Sequence, residues 1–124
     1  MKVILALNTA NQETETQVLT AQDFQPTVLN GRYTHDNGEA IEETSYLVEV
    51  STDRQLAELV AIAQEHKQES ILVLDDQNNA KLLYMSDYRT LDLGVFTNCT
   101  KDEAEASEAY SFNPITNEYY ICVS

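Results

Sequence analysis

The segment 44–86 constrains the fold more than any other part of the chain. It reads TSYLVEV, then STDRQLAELVAIAQEHKQE, then SILVLDDQNNAKLLYMS. The pattern is a strand, a helix, a strand, a turn and a further strand. Thr52 and Gln55 stand three residues apart as a capping box. Asp53 follows in the first turn, where a negative charge meets the positive end of the helix dipole. Leu56, Leu59, Val60 and Ala63 recur at i, i+3, i+4 and i+7 and form one apolar stripe, with Ile62 to one side. His66 and Lys67 close the helix, where cations are favoured. The flanking runs 46–50 and 71–74 are rich in β-branched and aromatic residues. This strand–helix–strand order allows a right-handed parallel crossover.

The remaining segments read as strands and turns. Residues 3–7 predict a first strand, and the polar run 8–17 predicts a loop with no apolar period. Val18 and Leu19 predict a short edge strand, and Phe24 stands as a lone anchor. Gln25-Pro26 ends whatever precedes it, because a residue before proline avoids the helical region. Residues 27–33 predict a strand with Gly31 as a bulge. Asn37-Gly38 is a strong hairpin signal and pairs that strand antiparallel with 43–50. Residues 75–79 make a second hairpin turn. Residues 90–97 alternate and extend the meander, with Gly94 bending it. Thr100 and Glu103 cap a short acidic surface helix at about 101–108. Residues 109–112 and 118–123 form a last hairpin around NPITN, crowded with Tyr110, Phe112, Tyr119 and Tyr120. The expected fold is α+β in a single domain, 1–124. A mostly antiparallel sheet carries one main amphipathic helix, about 52–67, on one face.

Charge is the chain's second strong feature. Its 124 residues hold 21 acids and 7 bases, a formal net charge of −14. Residues 1–62 carry ten acids and three bases, and residues 63–124 carry eleven and four, so no acidic tail explains the total. Such a balance opposes binding to bare nucleic acid and to anionic membranes. It favours a basic partner. The apolar run 3–7 is too short for a signal peptide or a membrane span. Cys99 and Cys122 are too few for a disulfide framework and read as free thiols. A cytoplasmic location follows from these readings.

Catalytic signatures are absent from the pattern. His35 and His66 stand outside any HxxxH or HExxH spacing, so no metal site is expected. The run 75–79 lacks the glycine and the terminal glutamate of a calcium loop. Three glycines, Gly31, Gly38 and Gly94, cannot build a phosphate-cradling loop. No catalytic residue and no cofactor are expected, and the chain reads as a non-enzymatic protein. Two acidic clusters are the candidate partner-binding residues: Asp36, Glu39, Glu42 and Glu43 at the first hairpin, and Asp102, Glu103, Glu105 and Glu108 on the second helix. Asp102, Glu105 and Glu108 share one helical face, where like charges cost stability unless a basic partner neutralises them. Tyr110, Tyr119 and Tyr120 lie beside that helix, and at least two of them are expected in the core.

A small, strongly acidic α+β chain carrying DNGEAIEE and KDEAEASE resembles the counter-defence proteins of phages and mobile elements. DNA-mimic antirestriction proteins and anti-CRISPR proteins are of this kind. The resemblance implies a blocker whose acidic clusters dock on a basic, nucleic-acid-binding protein or complex and inhibit it. Two alternatives stand beside it. One is a small-molecule binding protein, with Tyr33, Tyr46, Tyr84 and Arg32 holding a flat ligand and Arg89 an anionic group. The other is an enzyme that uses His35 or His66 with a carboxylate.

Overall fold

The crossover suggested by segment 44–86 is present, and another strand fills it. The structure is a computed structural model and describes residues 1–9, 11–34 and 38–124. Strand β1 (Lys2–Leu5) lies between β3 (Ala40–Glu49) and β4 (Ser70–Leu74) and is antiparallel to both. β3 and β4 therefore run parallel, and the helix α2 (Asp53–Glu65) connects them. The capping box at its start is formed: Gln55 N donates to Thr52 Oγ1 at 3.2 Å, and Thr52 N donates to Gln55 Oε1 at 3.2 Å. Leu59, Ile62 and Ala63 are buried against Val3 and Leu5 of β1.

The sheet does not stay open. Its order is β1-β3-β2-β7-β8-β6-β5-β4 and back to β1, a closed barrel in which every paired neighbour is antiparallel. The other strands are β2 (Thr27–Thr34), β5 (Asn79–Tyr84), β6 (Thr90–Cys99), β7 (Ala109–Asn113) and β8 (Glu118–Val123). This overturns the expected α+β layer of one sheet under one main helix. The reason is long-range pairing. The hairpins β2–β3, β4–β5 and β7–β8 carry local turn signals. The ladders that close the ring, β2 with β7 and β6 with β8, join strands that no local pattern links.

Closure gives the sheet two apolar faces. Inside the barrel, Ile4, Leu29, Leu74 and Ala80 are buried with Leu47, Leu72, Leu93, Phe96 and Cys122 packed on them. Outside, α2 and a further helix, α1 (Gln12–Thr20), cover β1, β3 and β4. Alternation along each strand sends Leu47 in and Tyr46 and Val48 out under the helices.

Helix α1 stands where a loop and an edge strand were expected. Its sequence, QETETQVLT, offers only Val18 and Leu19 as apolar side chains, too few for a recognisable stripe. It is held by polar contacts instead. Asn11 caps it by accepting from Thr14 N at 3.2 Å. Glu15, 3% exposed, accepts from the buried Tyr46 hydroxyl at 2.7 Å and from Thr9 N at 2.7 Å. The carboxylate thus ties the loop after β1, the helix and the barrel wall together.

Three local expectations also change. Gly31 lies in an unbroken β2–β3 ladder rather than at a bulge. The turn at Asn37-Gly38 falls partly outside the described residues, although β2 and β3 pair from Thr27↔Leu47 to Thr34↔Ala40. The second helix, α3 (Lys101–Ala106), is capped by Thr100 and Glu103 as expected but ends before Glu108, because Ser107 is extended at φ −87°, ψ 163°. Gly94 does bend β6, at φ +88°, next to the register shift between Ala80 and Lys81. Among the described residues no helix is long and apolar enough to cross a membrane.

Replacing Gly94 by alanine should disrupt barrel closure. A Cβ there would meet the Val123 carbonyl oxygen at 2.2 Å, at a backbone angle that L-residues resist. Strain and overpacking together predict a loss of about 2–6 kcal/mol, read from urea unfolding. A wild-type midpoint for Gly94→Ala would remove this close approach from the account of closure.

Tyr46→Phe should cost about 1–3 kcal/mol, because it leaves the buried Glu15 carboxylate short of a donor. Burial, then the bond to Glu15, raises the Tyr46 phenol above its usual value of 10.0. The folded state therefore resists ionisation that the unfolded state accepts. The resulting stability is fully present below about pH 10 and is lost as pH rises further. Chemical unfolding between about pH 8 and 11 should show this alkaline loss in the wild type and a smaller one in Tyr46→Phe.

Candidate functional site

Beyond Val28, which packs into the cluster beneath them, α1 and α2 leave the outer face of β2, β7 and β8 uncovered, while α3 touches β7 and β8. On this face two rows of side chains run across the strands in register. One row is Glu42, Arg32 and Tyr110, and the other is Thr44, Asn30, Phe112 and Tyr119. Their sequence neighbours Leu29 and Leu47 point into the barrel, so alternation places both rows outside. Together with Gly31 and Glu43 they line an open groove of about 390 Å³. That volume lies within the range of small-molecule sites, roughly 300–1,000 Å³.

The aromatic part of the groove is packed around Tyr119. Phe112 lies 4.6 Å from it between ring centroids at 37°, and Tyr110 lies 5.7 Å away at 58°. All three residues are half-buried. The expectation that at least two of Tyr110, Tyr119 and Tyr120 are core residues holds only for Tyr120. It faces inward and stacks on Phe96 at 5.0 Å and 8°.

Arg32 is the cation of the groove. Arg54, Lys81, Arg89 and Lys101 each sit within 4 Å of a carboxylate. Arg32 faces Glu42 directly across the ladder, yet forms no ion pair with any described residue. Lys2 and Lys67 likewise form no ion pair with a described residue; Arg32 differs in being a half-buried guanidinium on the groove wall, a group suited to a carboxylate.

The structure sorts the sequence candidates. Glu42 and Glu43 line the groove, Glu39 precedes β3, and Asp36 lies outside the described residues. Asp102 and Glu105 are exposed on α3, and Lys101 pairs with Glu105 at 3.9 Å. Glu103 is occupied by capping: the Thr100 N–H holds its carboxylate below the usual range. Glu108 lies beyond the helix, so the expected face of Asp102, Glu105 and Glu108 does not form. Its carbonyl accepts from Thr34 N at 2.8 Å, which brings the end of β2 beside the start of β7.

The alternative constellations do not assemble. Of the flat-ligand group, only Arg32 reaches the groove. Tyr46 is buried against Glu15, Tyr84 carries Arg89 at 4.3 Å over its ring, and Tyr33 faces inward. Burial, then Glu43 and Glu69, raise the Tyr33 phenol. His66 caps α2, its Nδ1 2.9 Å from the Ile62 carbonyl oxygen, and His35 lies outside the described residues. Cys99 and Cys122 are free thiols, as expected. Burial raises both, with Glu103 adding to Cys99, and this disfavours the reactive thiolate. Among the described residues no group of three or more His, Cys, Asp or Glu is placed to hold a metal ion.

A family model described as the S-adenosylmethionine lyase family matches residues 5–123. Neither a curated protein nor a solved structure matches the chain. The family is one of enzymes, which overturns the expectation of a non-enzymatic protein; that expectation rested on motifs, and this groove has none to show. A phage-associated, anti-restriction family agrees with the counter-defence character expected from size and charge. With nearly its whole length matched, the chain belongs to the S-adenosylmethionine lyase family.

Proposed function

We propose that the groove binds S-adenosylmethionine and that the protein cleaves it. The family match over residues 5–123 carries this reading. At neutral pH the substrate has a sulfonium, an α-ammonium and an α-carboxylate. The last two sit on one carbon, so side chains that read both must be neighbours. Arg32 and Glu42 are directly paired across the ladder, a geometry in which Cβ atoms stand about 4.5–5.5 Å apart. Arg32 takes the carboxylate in a charge-assisted pair, and Glu42 takes the ammonium. Phe112 and Tyr119, in the adjacent row, make an aromatic wall beside the sulfonium centre.

A lyase adds no water. The methyl group has no neighbouring carbon to supply electrons, and of the two remaining arms only the amino acid carries its own nucleophile, the carboxylate, so on this reading the bond that breaks joins sulfur to the amino-acid arm. Its electron pair goes to sulfur, and the sulfonium becomes the neutral thioether 5′-methylthioadenosine. The arm restores its lost bond from within, either through its own carboxylate oxygen or through a carbon–carbon double bond formed on loss of a Cβ proton. Sulfonium sulfur is already a good leaving group, so the protein's task is to hold the arm in the reactive geometry. Orientation of this kind is worth effective molarities of about 10⁵–10⁸ M in well-aligned systems.

Destroying the methyl donor gives a counter-defence role without contact with the defended machinery. Any modification or restriction enzyme that needs S-adenosylmethionine is starved of it. On this reading the acidity of the chain attracts a small cationic substrate.

Purified protein incubated with S-adenosylmethionine should convert it to 5′-methylthioadenosine, followed by liquid chromatography with mass detection. Arg32→Ala should lower kcat/KM by about 10- to 100-fold, the scale of one charge-assisted bond. Glu105→Gln on α3 should stay within about twofold, as expected for an exposed pair. Unconverted substrate would sink the cleavage reading. Full activity in Arg32→Ala would move the site away from the groove.

A further inference from the structure

We infer that the groove reads the charge on sulfur, holding sulfonium compounds and releasing neutral thioethers of the same shape. The inference rests on the substrate reading above and adds a selectivity to it. Two observations carry it. The rings of Phe112 and Tyr110 lie 4.6 and 5.7 Å from the Tyr119 ring between centroids, and all three residues line the groove. Aromatic faces attract cations, with the strength growing as water is excluded. The chain around the groove carries 21 acids against 7 bases, so the field at its mouth is negative.

A sulfonium and a thioether carrying the same adenosine and the same amino-acid arm make the same dispersion contacts and the same contacts to Arg32. They differ in one positive charge. That charge gains from the ring faces and from the negative field of the chain, and the thioether does not. Ring faces alone account for roughly a tenfold difference in affinity. The product 5′-methylthioadenosine loses both the charge and the arm, so it leaves readily. S-adenosylhomocysteine, the thioether left by every methyl transfer, keeps the arm and loses only the charge. It is therefore a weak competitor, and the enzyme keeps working where methyl transfer is active.

The test is titration calorimetry of the whole protein with two non-cleavable probes. Sinefungin carries an amine, cationic at neutral pH, at the sulfonium position; S-adenosylhomocysteine carries a neutral sulfur there. Sinefungin should bind at least about tenfold more tightly. The gap should narrow between about 50 mM and about 500 mM NaCl. It should also narrow in Tyr119→Leu, which keeps apolar bulk without the ring. Equal or tighter binding of S-adenosylhomocysteine overturns the inference, as does failure of sinefungin to bind a preparation that cleaves S-adenosylmethionine. A preparation that neither binds the probes nor cleaves the substrate overturns the substrate reading as well, so the two failures are told apart by the cleavage assay.

Discussion

Every strand of the barrel has a hydrogen-bonded neighbour on both sides, and this closure decides what the rest of the molecule can be. It removes the exposed edges that would template aggregation. It also sends one face of every strand inward, apolar around Ile4, Leu29, Leu74 and Ala80, and leaves the other face to be covered or used. The helices α1 and α2 cover the β1, β3 and β4 side. The side formed by β2, β7 and β8 keeps its side chains for the groove. Gly94 and the bulge beside it matter for the same reason, since they let β6 approach the carbonyl of Val123 on β8.

The charge of the chain takes on a different meaning once the bases are located. With 21 acids and 7 bases, a lone cation on the surface is expected to find a carboxylate, and four side chains do. Among the described residues Lys2, Lys67 and Arg32 do not, and of these Arg32 lines the groove with Glu42 directly opposite. A row that places an acid, an unpaired base and a tyrosine side by side presents complementary charges at the spacing of an amino acid's two termini. Neither a uniformly acidic surface nor a nucleic-acid mimic needs that arrangement.

The sequence made the local units legible and left the global ones hidden. Helix α2 could be read because Leu56, Leu59, Val60 and Ala63 repeat with the helical period and Thr52 caps them. Helix α1 could not, because its anchor is Glu15, a residue whose value lies in the Tyr46 hydroxyl it meets across the fold. The hairpins could be read from turn residues. The ring could not, because β1 inserts between β3 and β4 without any local mark. Of the site, Glu42, Glu43 and Arg32 were named, in separate hypotheses that only the β2–β3 register unites. At least two of Tyr110, Tyr119 and Tyr120 are expected in the core from sequence, although the alternation of Tyr110, Phe112 and Tyr119 with Ser111 and with Glu118 and Tyr120 marks those three as one face of two paired strands. No base, thiolate or metal cluster announces the enzyme, because a substrate that carries its own leaving group requires little more than a shaped and charged surface.

That surface has to reconcile attraction with reaction. Cleavage turns a sulfonium into a thioether, so any negative charge that holds the sulfur stabilises the starting state more than the transition state and slows the step. Carboxylates pressed against the sulfur would bind well and react poorly. The register avoids this by placing Glu42 next to Arg32, at the amino-acid end, where the ammonium keeps its charge throughout the reaction. The rings of Phe112 and Tyr119 take the adjacent row, and their hold on a cation is weaker than that of a carboxylate. A tenfold preference for the charged sulfur opposes cleavage by about the same factor, equivalent to about 1.4 kcal/mol. Orientation of the arm between Arg32 and Glu42 can exceed that opposition by several powers of ten. The arrangement therefore tolerates a modest slowing of the chemical step in exchange for selective uptake and free release, and the balance depends on the carboxylates staying one row away from the sulfur.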